Sequence, residues 1–170
     1  MGVRSRFGRF LTPDYLEARV EDIDLEAWHQ AGIKGVILDV DDTLTTKNSP
    51  RVAAGVLSWL KRTEDSGFAC IIVSNNRYPA HIEQVSKRLG IPAVARAGKP
   101  RSNGFHWALQ ELGLPPEHVV VVGDRILTDI LGGARMGMKT CLVAPVTKVL
   151  SRQKQTLYAF EKWLSQVLKP

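Results

Sequence analysis

Residues 35–45 read GVILDVDDTLT, and this stretch decides how the rest of the chain is interpreted. Its first half belongs to the run KGVILD (34–39), which is typical of a β-strand buried on both faces of a sheet. Three carboxylates, Asp39, Asp41 and Asp42, lie within four positions at its end. Carboxylates this close repel one another and lose hydration, so a divalent cation is the obvious group to stabilise them. The stretch therefore predicts a buried strand that leads into a metal site.

Strand-like and helix-like segments alternate along the rest of the chain. Buried strands are predicted at 34–39, 68–74, 91–97, 118–123 and 139–143, and helices at 50–65, 79–89, 101–112 and 129–136. This alternation predicts an α/β fold, a doubly wound, Rossmann-like parallel sheet of about five strands with helices on both faces. In such open sheets, ligands bind beyond the carboxyl ends of the strands.

The length and composition fit one domain. The chain has 170 residues, of which 44% are hydrophobic, enough to build one core and to exclude wholesale disorder. We expect a single domain over 1–170, with a core at about 34–145, a basic segment at 1–30 and an amphipathic helix at about 147–168. Cys70 and Cys141 sit in apolar runs, which favours buried free thiols in a reducing compartment. Neither a membrane-spanning run nor a signal peptide is recognisable, so a cytoplasmic location is expected.

The positive charge is concentrated at the two ends of the chain. The net charge is +6, with +3 in residues 1–10, +4 in residues 148–170 and therefore −1 between them. The charge of the core argues against nucleic acid as a partner. In the C-terminal segment, Leu157, Phe160, Leu164 and Val167 recur at helical spacing. Such a helix either packs on the sheet or on a second subunit, or it lies on an anionic membrane surface as a peripheral contact.

Polar clusters follow four of the predicted strands. They are Asp39-Val40-Asp41-Asp42-Thr43, Ser74-Asn75-Asn76, Gly98-Lys99-Pro100, and Gly123-Asp124-Arg125 with Thr128-Asp129. Each has an ordinary explanation when taken alone, such as a turn for Ser74-Asn75, an exposed loop lysine for Lys99 or a helix cap for Asp129. Their shared position at strand ends favours a single site, because four independent coincidences of this kind would be rare.

In order and spacing, these motifs resemble the haloacid dehalogenase (HAD) superfamily of aspartate-dependent phosphotransferases over about residues 34–145. The resemblance implies that Asp39 is the nucleophile that forms an aspartyl-phosphate, and that Asp41 is the general acid and base. It also implies a Mg²⁺ ion held by Asp39, Asp124 and the Asp41 backbone carbonyl, with Asp129 supporting the ion.

The same resemblance assigns the contacts to the substrate. It implies that Ser74 donates its hydroxyl to a phosphate oxygen, that Lys99 neutralises negative charge, and that Asn75 belongs to the same binding motif. Arg77 and Arg125 lie beside the motifs. They either bind a second phosphate or an anionic head group, or they are solvated surface arginines.

Two residues of the first motif are expected to have supporting roles. Thr43 is expected to buttress the motif loop, and Asp42 to make local turn or cap-like hydrogen bonds with its side chain directed away from its neighbour. The four histidines show no metal-ligand spacing with one another or with the cysteines, so zinc is not indicated.

The two segments where this superfamily inserts cap domains are short here. Between Thr43 and Ser74 there is room for one helix, and between Asn75 and Lys99 for one helix and one strand. We therefore expect no large cap, and an open site that a bulky substrate or a second subunit would cover. The runs LTPDYL, IDLEAWHQAGIKGVILDVDDTL, VSNN, GKP and GDRILTDILGGARMGMKTCLVAPV are similar to the capless subfamily IIIA branch of YqeG type, which includes phosphatidylglycerophosphate phosphatases.

The function expected from this resemblance is Mg²⁺-dependent hydrolysis of a phosphomonoester, with phosphatidylglycerophosphate as the substrate. A phosphatase of soluble nucleotide or sugar phosphates, using the same chemistry, remains open. A binding protein that kept the fold and lost the reaction is a further alternative. The intact set of Asp39, Asp41, Lys99 and Asp124 argues against that last alternative.

Overall fold

The computed structural model describes residues 8–47 and 49–146. The predicted C-terminal helix at 147–168, and Arg4, Arg6 and Phe7 of the basic N-terminal segment, lie outside the described residues. The strands are β1 Tyr15–Glu17, β2 Gly35–Leu38, β3 Ala69–Val73, β4 Ala93–Val94, β5 Val119–Gly123 and β6 Lys139–Val143. The helices are α1 Leu25–Gln30, α2 Ala54–Asp65, α3 Pro79–Leu89, α4 Asn103–Leu112 and α5 Leu131–Arg135. Short 3₁₀ turns span Val20–Asp22 and Pro116–His118, and a π turn, Ile126–Ile130, precedes α5.

All strand pairs in the described part of the sheet are parallel, and the strand order is β1-β6-β5-β2-β3-β4. This confirms the doubly wound α/β fold. The sheet has one strand more than the five expected, because β1 was not predicted from its three residues. β1 pairs with β6, and the Asp14 carboxylate beside it accepts hydrogen bonds from the Thr140 N–H at 2.9 Å and from Lys139 Nζ at 2.9 Å. These contacts join segments more than a hundred residues apart, which a local pattern does not reveal.

Side chains alternate between the two faces of the sheet, and each face carries its own hydrophobic layer. In β2, Val36 and Leu38 pack with Trp28 and Trp59 from helices α1 and α2. Ile37 points to the opposite face and packs in the layer that contains Phe105 and Ala108 of α4. The strands are therefore buried on both sides, as the uninterrupted apolar runs predicted.

Several element boundaries differ from the predicted ones. Helix α2 begins at Ala54 rather than at Pro50, because Val52 forms an isolated bridge with Thr45. The third predicted strand, 91–97, is reduced to Ala93–Val94. After β4 the chain turns at Arg96, whose φ is 53°, and the Ala97 N–H donates to the Ser74 carbonyl at 2.9 Å. This turn brings the following loop back over the end of β3.

The connections that could hold a cap are short. One helix, α2, separates β2 from β3, and one helix, α3, separates β3 from β4. The described part of the chain therefore has no large cap over the carboxyl edge of the sheet. None of its helices is long and apolar enough to cross a membrane.

The strand order places a topological switch point between β2 and β5. Strands β2, β3 and β4 proceed to one side, whereas β5 returns to the other side of β2 and is followed by β6. The loops after β2 and β5 therefore diverge and leave a crevice at the carboxyl edge, where ligands bind in folds of this class. Asp39 follows β2 and Asp124 follows β5.

Candidate active site

A cavity of about 420 Å³ opens at this carboxyl edge. It is lined by Asp39, Asp41, Asp42, Lys47, Ser74, Asn75, Asn76, Arg77, Tyr78, Lys99, Asp124, Arg125, Thr128 and Asp129. The fold thus brings together nine of the ten residues predicted for the site. Thr43, the tenth, is buried next to the cavity, and its hydroxyl lies 3.3 Å from Asp39 Oδ2.

Three buried carboxylates meet at the base of this cavity. Asp39, Asp124 and Asp129 each offer one oxygen, and these oxygens all lie within 4.8 Å of one another. Gly123, the last residue of β5, makes room for this arrangement, since a Cβ at that position would collide with the Asp129 carboxylate. Only glycine at position 123 therefore leaves room for the Asp129 side chain against the end of β5.

Asp129 is fixed by the turn on which it lies. Its Oδ2 accepts hydrogen bonds from the Arg125 N–H at 3.3 Å and from Thr128 Oγ1 at 3.2 Å. Its Oδ1 lies 2.6 Å from Lys99 Nζ. The sequence predicted support of a metal by Asp129, but it gave no sign of this direct contact with the lysine.

Lys99 is the one cationic side chain buried among these carboxylates in the described residues. Its Nζ lies 2.7 Å from Asp39 Oδ1, and its side chain is only 2% exposed. The Asn75 side-chain amide makes two hydrogen bonds to the backbone of Lys99. Its Nδ2 donates to the Lys99 carbonyl at 2.9 Å, and its Oδ1 accepts from the Lys99 N–H at 2.8 Å. Asn75, predicted to bind substrate, thus contacts the lysine loop in the structure.

The electrostatics of the cluster follow from its burial. Burial raises the pKa of Asp39 to about 6, against the opposing effect of Lys99 and with a further contribution from Asp129. Burial alone would lower the pKa of Lys99, but the attraction of Asp129 and Asp39 outweighs it and raises that pKa above its ordinary value. The lysine therefore stays protonated beside carboxylates that crowd one another.

The same cluster fits a divalent cation. One ammonium group faces three buried carboxylates, so negative charge exceeds positive charge among the described side chains at the base of the cavity. All the candidate ligands are carboxylate oxygens, the hard donors that Mg²⁺ and similar ions prefer.

Asp41 lies nearer to the mouth of the cavity and contacts two residues that the sequence analysis did not select. Asn76 Nδ2 donates to Asp41 Oδ2 at 2.7 Å, and His81 Nε2 lies 3.9 Å from Asp41 Oδ1. The second asparagine of the VSNN run was a signal for Asn76. No motif pointed to His81, because it comes from helix α3 and reaches Asp41 only through packing.

The remaining predicted residues line the cavity. Ser74 is buried, and its Oγ accepts a hydrogen bond from the Asn76 N–H at 3.1 Å, which leaves the hydroxyl proton available for donation. Arg77 and Arg125 also line the cavity, together with Lys47, which was not predicted. Arg77 and Lys47 are exposed, whereas Arg125 is half-buried. Tyr78, 69% exposed, is a further lining residue. Basic side chains therefore share the cavity with the buried carboxylates.

Comparisons with known proteins agree with this geometry. Residues 96–148 match a family model described as HAD-hydrolase-like. The chain is 36% identical over 138 residues to the "Probable phosphatase YqeG" of Bacillus subtilis, covering 81% of this chain and 80% of that protein. It is 31% identical over 139 residues to the chloroplastic "Phosphatidylglycerophosphate phosphatase 1" of Chlamydomonas reinhardtii, covering 75% of this chain but only 51% of that protein. Among solved structures, a putative HAD superfamily (subfamily III A) hydrolase from Legionella pneumophila is similar in fold, with a TM-score of 0.52, 16% identity, and coverage of 85% and 92%.

Proposed function

The chain belongs to the HAD-like hydrolases, and from that premise we propose that this phosphatase removes the terminal phosphate of phosphatidylglycerophosphate through an aspartyl-phosphate on Asp39. The observation that carries the proposal is the buried cluster at the switch point. There Asp39 lies 2.7 Å from the Lys99 ammonium and within 4.8 Å of the other two carboxylates. The Lys99 ammonium, together with the divalent cation that the carboxylates fit, would neutralise a phosphate group beside Asp39, the nucleophile of the proposed reaction.

In the first half of the proposed reaction, a carboxylate oxygen of Asp39 attacks the phosphorus atom. The P–O bond to the lipid alcohol breaks, and Asp41 gives its proton to the departing oxygen. In the second half, Asp41 takes a proton from a water molecule that attacks the phosphorus atom. The bond to Asp39 breaks, inorganic phosphate leaves, and both carboxyl groups return to their initial states.

The other side chains bind and orient the phosphate in this proposal. Lys99 holds Asp39 in place and attracts the phosphate oxygens, and Ser74 donates its hydroxyl to one of them. Asn75 keeps the lysine loop in position through its two hydrogen bonds to Lys99, at 2.8 and 2.9 Å. Thr43 supports the Asp39 carboxylate by donating a hydrogen bond from its hydroxyl to Oδ2 at 3.3 Å.

A Mg²⁺ ion is the cofactor that we propose for this site. Asp39 and Asp124 would hold it, with the Asp41 backbone carbonyl as a further ligand and Asp129 in support. When bound, the ion supplies positive charge that neutralises the phosphate and the crowded carboxylates.

Three features support a phospholipid as the substrate. The described chain has no large cap, so a bulky substrate can reach the base of the cavity. Arg77, Arg125 and Lys47 also line the cavity, where they could bind the second, phosphodiester group of the lipid. The basic segments at 1–10 and 148–170 would favour reversible contact with an anionic membrane. A second subunit could complete the cover of the site.

The test is Mg²⁺-dependent phosphate release from phosphatidylglycerophosphate in mixed micelles, with nucleotide and sugar monoesters in parallel. The Asp39→Asn variant is the blank. We expect the lipid to be hydrolysed with the highest kcat/KM, and the variant to be inactive. Faster hydrolysis of the soluble esters would instead assign the protein to soluble substrates. Binding of Mg²⁺ without phosphate release from any ester would favour a non-catalytic binding protein.

A further inference from the structure

We propose that Asn76 is a positioning residue for the acid–base step, and that its amide holds the Asp41 carboxyl group in place through a hydrogen bond to Oδ2. This inference rests on the proposed function, in which Asp41 protonates the leaving alcohol. It assigns a role to a residue outside the predicted catalytic and binding set.

The Asn76 amide has one possible orientation in the structure. Its Oδ1 accepts a hydrogen bond from the Tyr78 N–H at 2.8 Å, a bond that only an oxygen can accept. The NH₂ group must therefore be at the other end, where Nδ2 lies 2.7 Å from Asp41 Oδ2. The hydrogen-bond network therefore identifies which amide atom of Asn76 is the oxygen and which is the nitrogen.

The main chain of Asn76 is fixed as well. Its N–H donates to Ser74 Oγ at 3.1 Å, and its carbonyl accepts from the Arg96 N–H at 3.1 Å. The residue is only 9% exposed. A donor held at its backbone and at the far end of its side chain cannot rotate away, so it is preorganised for Asp41.

The bond from Asn76 is the hydrogen bond that orients the Asp41 carboxyl group. Nδ2 of Asn76 donates to Oδ2 at 2.7 Å. The other oxygen, Oδ1, is buried and has no hydrogen-bond partner among the described residues, and at 3.9 Å the nearby His81 Nε2 is too far for a hydrogen bond. Loss of the Asn76 donor would therefore leave the Asp41 carboxyl group without the contact that fixes its direction.

The two-step reaction gives this arrangement a measurable signature. As the P–O bond breaks, the proton on the Asp41 carboxyl group moves to the departing alcohol oxygen. An alkyl alcohol needs that proton, whereas p-nitrophenolate leaves readily without it. A misplaced acid therefore slows the first step for alkyl esters more than for p-nitrophenyl phosphate, and kcat/KM reports that step for both.

The experiment compares kcat/KM for glycerol phosphate and p-nitrophenyl phosphate in full-length wild type, Asn76→Ala and Asn76→Asp. The aspartate variant keeps an acceptor for the Tyr78 N–H but removes the donor to Asp41. We expect both variants to lose about 10- to 100-fold more on the alkyl ester than on the aryl ester, part of the roughly 10²- to 10⁴-fold that a general acid contributes. In an Asp41→Asn background, Asn76→Ala should not change further the ratio of kcat/KM for the alkyl ester to kcat/KM for the aryl ester.

The outcomes separate this inference from the function on which it rests. Equal losses on both esters, wild-type behaviour of Asn76→Asp, or an additive effect in the Asp41→Asn background would overturn the role of Asn76 while leaving the phosphatase intact. If Asp41→Asn lowers kcat/KM equally for the alkyl and the aryl ester, the acid–base role of Asp41 is overturned, and this inference with it. Circular dichroism melts of each variant show whether a loss reflects unfolding, and Asn76→Asp provides the folded comparison if Asn76→Ala is unstable.

Discussion

Lys99 should be far more important for stability than a lysine with an equally short ion pair at the surface. The perturbation is Lys99→Met, which keeps most of the side-chain volume and removes the charge. The ammonium lies 2.7 Å from Asp39 and 2.6 Å from Asp129, and the three side chains are 2%, 10% and 1% exposed. Removal of one partner from a buried ion pair leaves uncompensated charge and costs about 3–5 kcal/mol.

The matched control is Lys139→Met. Lys139 Nζ lies 2.9 Å from Asp14, but the two side chains are 48% and 34% exposed. Water already solvates both charges, so the loss should be at most about 1 kcal/mol. The two variants therefore differ in burial while the substitution and the type of contact are the same.

The assay is urea unfolding in EDTA and again in excess Mg²⁺. In EDTA, we expect the free energy of unfolding to fall by about 3–5 kcal/mol for Lys99→Met and by at most about 1 kcal/mol for Lys139→Met. Saturating Mg²⁺, at 100 times its Kd, should restore about 2.7 kcal/mol, because the ion supplies positive charge to the same carboxylates. Equal losses in the two variants, or no gain from Mg²⁺, would refute the view that charge crowding dominates this site.

Three further predictions concern the buried carboxylate cluster and a thiol. Asp124→Asn should abolish the Mg²⁺-induced rise in melting temperature without destabilising the protein in EDTA, since one crowded carboxylate is removed; unchanged Mg²⁺ stabilisation would contradict its place in the cluster. Gly123→Ala should displace Asp129, because the added Cβ would collide with the Asp129 carboxylate. We expect the free energy of unfolding in urea to fall by about 1–3 kcal/mol and phosphatase activity to fall at least tenfold. Wild-type activity of this variant would contradict the need for glycine at the end of β5. Burial raises the pKa of Cys70 to about 12, so at pH 8 only roughly one thiol in ten thousand is ionised, and iodoacetamide should react slowly until urea unfolds the protein. Cys70 is only partly buried, so rapid native-state alkylation at this residue, measured by mass spectrometry, would contradict the raised pKa.

The sequence was most informative where a local pattern had a single physical meaning. The apolar run before Asp39 indicated a strand buried on both faces, and the polar residues after each strand indicated a site at one edge of the sheet. The short connections before and after Ser74 predicted the absence of a large cap, which the structure confirms for the described residues. The roles of the individual site residues stay predictions until the variants are measured.

Partnerships between distant residues were less visible in the sequence. Asn76 and Asp41 are 35 residues apart, and Lys99 and Asp39 are 60 apart, so no local periodicity relates them. The strand β1 was missed for the same reason, since its three residues are held by pairing with β6 at the far end of the chain. Lys47 was also missed, because an exposed loop lysine carries no pattern of its own.

The sequence by itself determined the alternation of strands and helices, the carboxylates after β2 and β5, and the place of the site at the edge where parallel strands end. These follow from backbone geometry and side-chain polarity, which act over a few residues. Only the tertiary structure decided that Lys99 would bridge Asp39 and Asp129, and that Asn76 would direct its amide at Asp41. Those contacts depend on strand order and on the turn after β4, which packing of the whole chain fixes and no single segment encodes.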